Sequence, residues 1–422
     1  MTQHNIDAEA DFVISQNSRL SLSAGYLNNK NTSHDNLNKG LGNPNDIDGD
    51  NKYNSLTMKG DYTVGFHNGY SLGMGVSYST VNNQGYSTYQ DMQSGESYYE
   101  DHSNLRDNTG AAYVNLSKSY GKVFASVGVR GELLDSKYKK NGAIWYDDNS
   151  LSLYPRITLQ TPISKDVTVI GAFISQSTRP SFKELSPLFK YINNYLFEQG
   201  NPSLRKTDIY TASLSMILKN KFVAQARFIR NVNATMWSFV EKKIGEDVLV
   251  NQPSNINYGM WLFNLSYSDA WGIYRFSYNA SLKYIPKDLP YLDGTSPVKP
   301  QVMASAVNQF VLSPKTLLSV NVNYTSRFAN LGLEQKAACG LDCWVRQTFG
   351  KDDRLQIILQ GSDLLHRSTP KSYVKINNVR STSVPDFDTR SVSLTIRYML
   401  NGFQNIFKRR NANADVETRI RQ

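Results

Sequence analysis

The segment 274–284, YRFSYNASLKY, alternates apolar and polar side chains over eleven residues. Tyr, Phe, Tyr, Ala, Leu and Tyr take every second position, and Arg, Ser, Asn, Ser and Lys lie between them. Successive side chains of a β-strand point to opposite faces, so the pattern predicts a strand with one apolar face and one wet face. This strand is longer than the about 5–6 residues usual in globular sheets, and its apolar face begins and ends with tyrosine.

The same alternation recurs along the chain, between connections that are alternately short and long. Apolar residues recur at every second position and not at helical spacing, so the pattern excludes a helix-rich fold. Eight short connections are rich in the turn formers Gly, Asn, Asp, Ser and Pro, at 16–19, 66–69, 119–122, 162–166, 219–221, 269–272, 313–315 and 350–353. Longer polar segments lie between them, at 29–51, 81–107, 138–149, 179–206, 241–254, 286–297, 327–340 and 367–388. Eight turns that join sixteen strands in pairs, with a last strand near 389–399, predict about seventeen strands.

Two architectures contain such strands, a soluble β-sandwich and a transmembrane barrel. Sandwich strands are short and turn their apolar face inward. Barrel strands span about 9–11 residues, face lipid with aromatic rings at both interfaces, and alternate short periplasmic turns with long outer loops. The sequence therefore predicts an all-β, antiparallel, up-and-down transmembrane β-barrel over residues 1–400, followed by a polar tail over 401–422. In this barrel Tyr274 and Tyr284 lie at the two interfaces.

Composition narrows the class of protein further. The net charge is +10, but Lys and Arg are scattered and form no basic cluster, which argues against a nucleic-acid partner. The chain has no apolar run of about 18 residues, so we expect no transmembrane helix. The first twenty residues lack the basic start and apolar core of a secretory signal. Because a closed up-and-down barrel needs an even number of strands, we expect that the N-terminal part, with a signal peptide and at least one strand, is missing from this chain.

The segment 151–207 resembles the barrel of a TonB-dependent outer-membrane receptor. The resemblance is to the outer-membrane β-barrel family whose members often carry a carboxypeptidase-regulatory-like domain ahead of a plug. Two further stretches, GVRGE (128–132) and GSDLLHR (361–367), are similar to strands of that family. Lys206 and Thr207 stand where the family usually has Pro-Glu. The matching motif residues are Tyr154 and Pro155, then Arg179, Pro180, Ser181 and Phe182, then Pro187, and finally Gly200, Asn201 and Pro202.

The resemblance implies a barrel of about 22 strands around a plug domain that couples to TonB in the periplasm. No plug and no TonB-contacting box is recognisable in the sequence, so we expect the C-terminal barrel portion of a receptor in the Gram-negative outer membrane. Its partners are then membrane lipid, TonB through a missing N-terminal plug, and a scarce ligand such as a siderophore, glycan or peptide. The alternatives are a passive porin-like pore and a nonfunctional truncated receptor. No cofactor is expected.

Aromatic residues in the long connections are candidates for stacking on a ligand. The alternative is that they pack the connections against their neighbours. These residues are Trp145, Tyr146, Tyr191, Tyr195 and Phe197. Packing is the interpretation we favour, with ligand contact as the alternative for the same residues.

Other candidate sites are weaker. Asp46, Asp48 and Asp50 alternate around a glycine and could offer oxygen ligands to Ca²⁺, but a solvated acidic outer loop is the interpretation we favour. Cys339 and Cys343 could form a small loop disulfide or remain two thiols. The run SHD at 33–35 is adjacent in sequence and is not a catalytic triad, so we predict that the protein is not an enzyme.

Overall fold

Within the residues that the structure describes, the alternating segments form seventeen long antiparallel strands, and each long strand pairs with the next one along the chain. The structure is a computed structural model. It describes residues 2–37, 45–91, 97–186, 189–193, 196–244, 246–286, 298–350, 353–376, 379–385 and 387–399. The predicted fold and the count of seventeen strands are confirmed; Pro187, Tyr195 and the tail 401–422 lie outside the described residues.

The strands and the helix of the described residues have the following bounds in chain order. The first group is β1 (Thr2–Ser15), β2 (Ser18–Leu37), β3 (Asn45–Gly65), β4 (Tyr70–Asp91), β5 (Ser97–Tyr120), β6 (Val123–Lys140), β7 (Ala143–Pro162) and β8 (Val167–Thr178). After β8 come α1 (Phe182–Leu185), β9 (Phe189–Asn193), β10 (Leu196–Gln199), β11 (Thr207–Leu218), β12 (Phe222–Ile244), β13 (Glu246–Trp271) and β14 (Tyr274–Tyr284). The remaining strands are β15 (Gln301–Ser313), β16 (Thr316–Thr325), β17 (Phe328–Asn330), β18 (Leu333–Gln335), β19 (Ala338–Phe349), β20 (Leu355–Ser362), β21 (Ser372–Ile376), β22 (Val379–Ser383) and β23 (Ser391–Tyr398).

The outer face of the sheet is apolar, as predicted for a surface in lipid. Large apolar side chains such as Leu22, Met58, Leu133 and Leu265 are between 44% and 58% exposed. The strand that opened the sequence analysis is β14, with the predicted bounds. Its Phe276 is the exception to exposure, because aromatic rings of β13 and β14 surround it.

The long connections differ from the prediction, because several of them are not loops. β2 and β3, β4 and β5, β6 and β7, and β12 and β13 continue as paired strands far beyond the lipid-facing segments. The prediction of strands limited to about 9–11 residues is therefore wrong for these eight, which have 18 to 26 residues. Outside lipid both faces of a hairpin are wet, so the chain keeps its backbone pairing while the alternation of apolar residues disappears.

Two features lie at the margins of the main sheet. β17, β18, β21 and β22 form a separate four-stranded antiparallel sheet at the end of the long hairpins. At the sheet edges, β1 pairs with β2 and β23 pairs with β20, and within the described part of the chain no pairing joins β1 to β23. The short turns define the other end of the sheet, where Gly121 and Gly272 adopt positive φ angles of 57° and 60°.

The helix content of the described residues is a single turn, α1. None of the helices in the described ranges is long and apolar enough to cross a membrane.

Candidate ligand-facing site

The segment from Arg179 to Lys206, which we call the insert, leaves the sheet after β8 and returns to it at β11. Ser181 caps α1: its Oγ accepts a 3.2 Å hydrogen bond from the Glu184 amide, and its own amide donates to Glu184 Oε2 at 2.7 Å. This reciprocal pair is a capping box, which satisfies two amides that a helix start leaves free. Pro180 and Phe182 on either side of the cap are buried. The Arg-Pro-Ser-aromatic motif thus encodes a sharp turn with a buried anchor.

The insert packs on the inner side of the long hairpins. Phe182, Leu185 and Leu204 form one buried cluster with four side chains from β2, β4, β5 and β6, namely Leu27, Val81, Leu105 and Tyr138. The Phe182 ring lies 5.0 Å from the ring of Tyr53 on β3, measured between centroids. The hairpins therefore carry apolar residues inward at this height, and the insert covers them.

Gly200 and Asn201 lock the two halves of the insert together. A Cβ atom at Gly200 would collide with the carbonyl oxygens of Lys183, Glu184 and Ser186. The Asn201 amide donates to the Glu184 carbonyl at 2.6 Å. Its side chain donates to the Pro253 carbonyl of β13 at 3.1 Å, so the Gly-Asn-Pro motif ties α1 to the barrel wall.

Lys206 fixes the end of the insert. Its Nζ atom, on a residue that is 8% exposed, donates to Tyr154 Oη and to Ser152 Oγ, each at 2.6 Å. Tyr154 Oη donates in turn to Asp208 Oδ1 at 2.8 Å. Lys206, which departs from the family pattern, therefore has a hydrogen-bond network of its own. Tyr154 of the Tyr-Pro motif is part of that network.

Arg179 fixes the start of the insert through buried carboxylates. Its guanidinium lies 3.5 Å from Glu132 Oε1 and 3.9 Å from Asp107 Oδ2. Glu132 also lies 3.5 Å from Arg130 on the same strand. Both carboxylate side chains are at most 6% exposed, and pairing is what makes the burial of such charges tolerable.

A cavity of about 690 Å³ lies along the inner wall beside this ion network. Most of its polar lining carries hydroxyl or cationic groups, from Lys59, Ser77, Thr109, Tyr113, Arg130, Tyr154, Arg156, Ser177 and Arg179, with Glu132 as the acidic member. A pocket of several hundred Å³ with convergent polar groups is typical of a small-molecule site.

The candidate ligand contacts Trp145 and Tyr146 lie on β7 of the β6–β7 hairpin and not in a loop. Trp145 is 55% exposed, and the Lys140 ammonium lies 5.0 Å from the centroid of its ring. Tyr146 packs against the buried cluster of the insert and donates a 3.0 Å hydrogen bond to Asp148. Burial, and then the neighbouring carboxylate of Asp148, raise the pKa of Tyr146. The structure therefore separates these neighbours, with one ring exposed and the other used in packing.

The insert candidates lie on β9 and β10. Phe197 is 8% exposed and pairs with Tyr191 of β9 and, in parallel, with Val250 of β13. Tyr195 is outside the described residues. For Phe197 the packing alternative fits the geometry, and the role of Tyr191 stays a prediction.

The acidic run lies on β3, where a loop was expected. Asp48 Oδ1 is 2.6 Å from His34 Nδ1, and Asp50 Oδ2 is 3.3 Å from Lys30 Nζ. Asp46 pairs through its backbone with Asn36. Within the described ranges no three His, Cys, Asp or Glu side chains are grouped to hold a metal ion. The calcium site stays a prediction without geometric support.

The two cysteines also lie on a strand, which decides between their alternatives. Cys339 and Cys343 are four residues apart on β19 and both are free. At about 3.3 Å per residue their Cα atoms are roughly 13 Å apart, and a disulfide requires less than about 7 Å. Cys339 pairs with Tyr324 and Cys343 with Val320, both on the lipid-facing side. The loop disulfide is therefore wrong.

A second polar centre closes the outer end of β20, in the GSDLLHR segment. The Asp363 carboxylate accepts hydrogen bonds from the hydroxyls of Ser368 and Thr389 and from the amides of Arg367 and Ser368. Burial alone would raise the pKa of this carboxyl, but these four donors outweigh it and hold the pKa at about 2. The carboxylate thereby joins β20 to the segment before β23.

The sequence interpretation did not include Asp107, Glu132, Arg156 and Lys206 among the candidate site residues. Arg130 and Glu132 are two residues apart on a strand, so alternation alone places them on one face. That signal was available in GVRGE. The contacts of Asp107 and Lys206 depend on where the insert folds, which strand periodicity does not encode.

Residues 9–398 match the model of the outer membrane protein beta-barrel family. The chain therefore belongs to this family of outer-membrane β-barrels. Among proteins with curated functions, none matches the sequence.

Solved structures with the same fold share little sequence with this chain. They include the ferric-catecholate import receptor Fiu from E. coli K12, with a TM-score of 0.63, 10% identity, and coverage of 94% of this chain and 64% of that one. The ferric yersiniabactin uptake receptor FyuA from Yersinia pestis has a TM-score of 0.64 and 11% identity, with coverage of 94% of this chain and 61% of that one. The copper transporter OprC has a TM-score of 0.66 and 9% identity, with coverage of 94% of this chain and 65% of that one. The chain thus spans just under two thirds of the length of these structures.

Proposed function

We propose that this chain is the barrel portion of a TonB-dependent outer-membrane transporter that takes up a scarce ligand such as a siderophore, glycan or peptide. The observation that carries the proposal is the polar inner wall, with its cavity of about 690 Å³ beside the insert. Receptors for iron chelates and a copper transporter share the fold, which supports import over catalysis.

The wall supplies groups suited to holding a polar solute. Arg130 and Arg156 point guanidinium donors toward the cavity, and Ser77 and Ser177 add hydroxyls. Glu132 and Arg179 hold the insert beside this lining. A ligand that enters from the outer end meets cationic and hydroxyl groups, and TonB acting on a plug in the periplasm supplies the energy for its release.

The test measures accumulation by whole cells that carry the gene at its native locus. Three radiolabelled probes, a ferric catecholate, an oligosaccharide and a peptide, are compared with and without a protonophore and in a strain without the gene. Accumulation of one probe that needs both the gene and the proton gradient supports the proposal. Uptake that needs the gene but not the gradient indicates a passive pore, and no gene-dependent uptake of any probe indicates a nonfunctional receptor.

A further inference from the structure

The small sheet of β17, β18, β21 and β22 has one covered edge and one open edge. At the covered edge, Phe328 and Ala329 of β17 are each 5% exposed. The backbone of Ala329 exchanges two hydrogen bonds with that of Lys299, at 2.8 and 3.3 Å. At the open edge, residues 380–383 of β22 are all exposed, and among the described residues no strand pairs with β22 on that side. This edge can therefore accept a further strand.

The register of β22 shows which backbone groups face the open edge. Val379 pairs directly with Ile376 of β21, and residues that flank a two-residue connection exchange backbone hydrogen bonds. Hydrogen-bonded and non-hydrogen-bonded pairs alternate along an antiparallel ladder. Arg380 and Thr382 therefore direct their amides and carbonyls away from β21 and toward the open edge. These four groups form a template for a second polypeptide backbone.

One face of the small sheet packs on the barrel, and the opposite face is turned away from it. Val374 of β21 packs against the buried residues Ala234 and Ile256 of β12 and β13. Tyr373, the next residue, lies on the opposite face by alternation, and the Lys336 ammonium lies 6.0 Å from the centroid of its ring. We call this second face the basic face. It includes Arg327, Glu334, Lys336, Lys371, Tyr373 and Arg380.

The basic face carries four cations and one carboxylate among its described side chains. Arg327 Nε donates to Glu334 Oε1 at 2.7 Å, so this pair is neutral. Lys336, Lys371 and Arg380 are exposed, and no ion pair within the described ranges includes them. The Lys336 amide donates to the Lys371 carbonyl at 3.0 Å, which places these two lysines side by side. Three unpaired cations thus lie next to the open edge.

We propose that the small sheet binds an extended, acidic polypeptide segment, which adds to the open edge of β22 as a strand and places its carboxylates over the basic face. A polypeptide backbone reciprocates the amides and carbonyls of Arg380 and Thr382, which repeat at about 7 Å along the strand. Residues that pair directly across two strands share a face, so acidic residues opposite Arg380 and Thr382 lie beside the three cations.

This surface is separate from the candidate site in the lumen. None of its residues lines the cavity beside the insert, so the proposal does not depend on transport. The small sheet lies at the end of the long hairpins, which is the extracellular end of the barrel. The acidic segment therefore reaches the sheet from outside the cell.

The test titrates the detergent-solubilised full chain into a fluorescein-labelled peptide, EVETEVET, and follows fluorescence anisotropy. A peptide with lysine at every glutamate position tests the charge. Two N-methylated peptides of unchanged charge test the backbone. One is methylated at the glutamates, whose amides face β22 in the proposed strand. The other, its matched control, is methylated at the valines and threonines, whose amides face away from β22.

Variants of the protein test the same two features. K336Q/K371Q removes two of the unpaired cations, and the matched control K122Q/K165Q removes the same charge from exposed residues at the short turns. T382P removes one amide of the open edge, where a sheet tolerates proline, and its control T382V keeps that amide.

We expect the unchanged chain to bind EVETEVET and the control methylated peptide alike. The lysine peptide and the peptide methylated at the glutamates should bind at least tenfold more weakly, because each lost backbone hydrogen bond costs about fivefold. K336Q/K371Q should bind EVETEVET about fivefold more weakly than K122Q/K165Q does. T382P should bind it about fivefold more weakly than T382V does.

Equal binding of the two N-methylated peptides by the unchanged chain would overturn the proposal, whatever the folding of the variants. Equal losses in K336Q/K371Q and K122Q/K165Q would also overturn it. Dextran sulfate serves as an anionic polysaccharide probe. If it binds the chain with an affinity that T382P leaves unchanged while EVETEVET does not bind, the basic face takes an acidic glycan and the proposal is wrong.

Discussion

The two halves of the main sheet differ in how far their strands extend. β2 to β7 have 18 to 24 residues, whereas β14, β15, β16, β19, β20 and β23 have 8 to 13. In the first half the extended parts carry inward apolar residues that the insert covers. In the second half all eight residues of β23 are exposed.

This difference shows what a hairpin needs once it leaves the membrane. A two-stranded hairpin is marginal in water unless it packs on something else. The insert packs on the hairpins of β2 to β7, and β10 of the insert pairs with the extended part of β13. The second half has the small sheet of β17, β18, β21 and β22 at the same end instead. We infer that the insert allows the first half to extend.

The most severe test of this inference is the substitution Gly200→Val. The new side chain collides with three carbonyl oxygens, so the insert cannot close, and we expect a loss of about 4 kcal/mol or more. The measurement is chemical unfolding of the folded barrel, together with protease cleavage within 179–206. The matched control is Gly171→Ala, since a Cβ at Gly171 meets no atom within 4 Å. Resistance of the G200V insert to protease would contradict the inference.

A smaller loss is expected from Lys206→Met. It leaves the hydroxyl of Tyr154 and the carboxylate of Asp208 without their buried cation, at a cost of about 2 kcal/mol. The double variant K206M/D208N recovers part of this loss because it removes the unpaired charge. Equilibrium unfolding of the four members of this cycle measures the coupling. Additive effects of the two substitutions would show that Lys206 and Asp208 do not interact.

The second half should depend on Asp363, with a defined pH dependence. Its pKa of about 2 lies below the value of about 3.9 for an unfolded aspartate. A lowered native pKa contributes stability that is fully present above about pH 4 and is lost as the pH falls toward 2. We expect D363N to lower the urea midpoint at pH 7 and to reduce the drop between pH 4 and pH 2. The control is D388N, because Asp388 is exposed and adjoins Thr389 in the sequence. An equal effect of D363N and D388N would contradict the stabilising role of Asp363.

The smallest effect is expected at the cysteines of β19. Cys339 and Cys343 face lipid, so a charged thiol reagent should label neither of them in intact membranes and both after unfolding. Replacing both by serine should change stability by less than about 0.5 kcal/mol each. The control N149C places a thiol on the exposed part of β7 and should react in intact membranes. Labelling of Cys343 before unfolding would place this part of β19 outside lipid.

The strand order and the strand count could be predicted because lipid and lumen impose opposite demands on alternate residues. YRFSYNASLKY predicted β14 to the residue for this reason. The extensions of β2 to β7 could not be predicted in this way. Residues such as Lys52 and Gln84 face water on one side of the hairpins, and their inward neighbours include both apolar and polar groups. The alternation of apolar and polar residues therefore disappears from the sequence, while the backbone pairing of the strands continues.

The candidate site was predicted in outline but not in its contacts. The motif residues Arg179, Ser181 and Gly200 were found by resemblance, and each has a physical role in closing the insert. Lys206 was noted only as a departure from the pattern. Its contacts are with Asp208, two residues away, and with Tyr154, more than fifty positions away in the sequence. Only the folded insert brings Lys206 and Tyr154 together.

The odd number of long strands gives the polypeptide a direction across the membrane. β1 and β23 both run from the long-hairpin end to the short-turn end, so Thr2 and Tyr398 lie on opposite sides. An epitope placed beside Thr2 is then readable by antibodies on living cells, whereas the same epitope beside Tyr398 becomes readable only after the outer membrane is opened. An odd number of long strands in the described residues thus places the two ends of the sheet on opposite sides of the outer membrane.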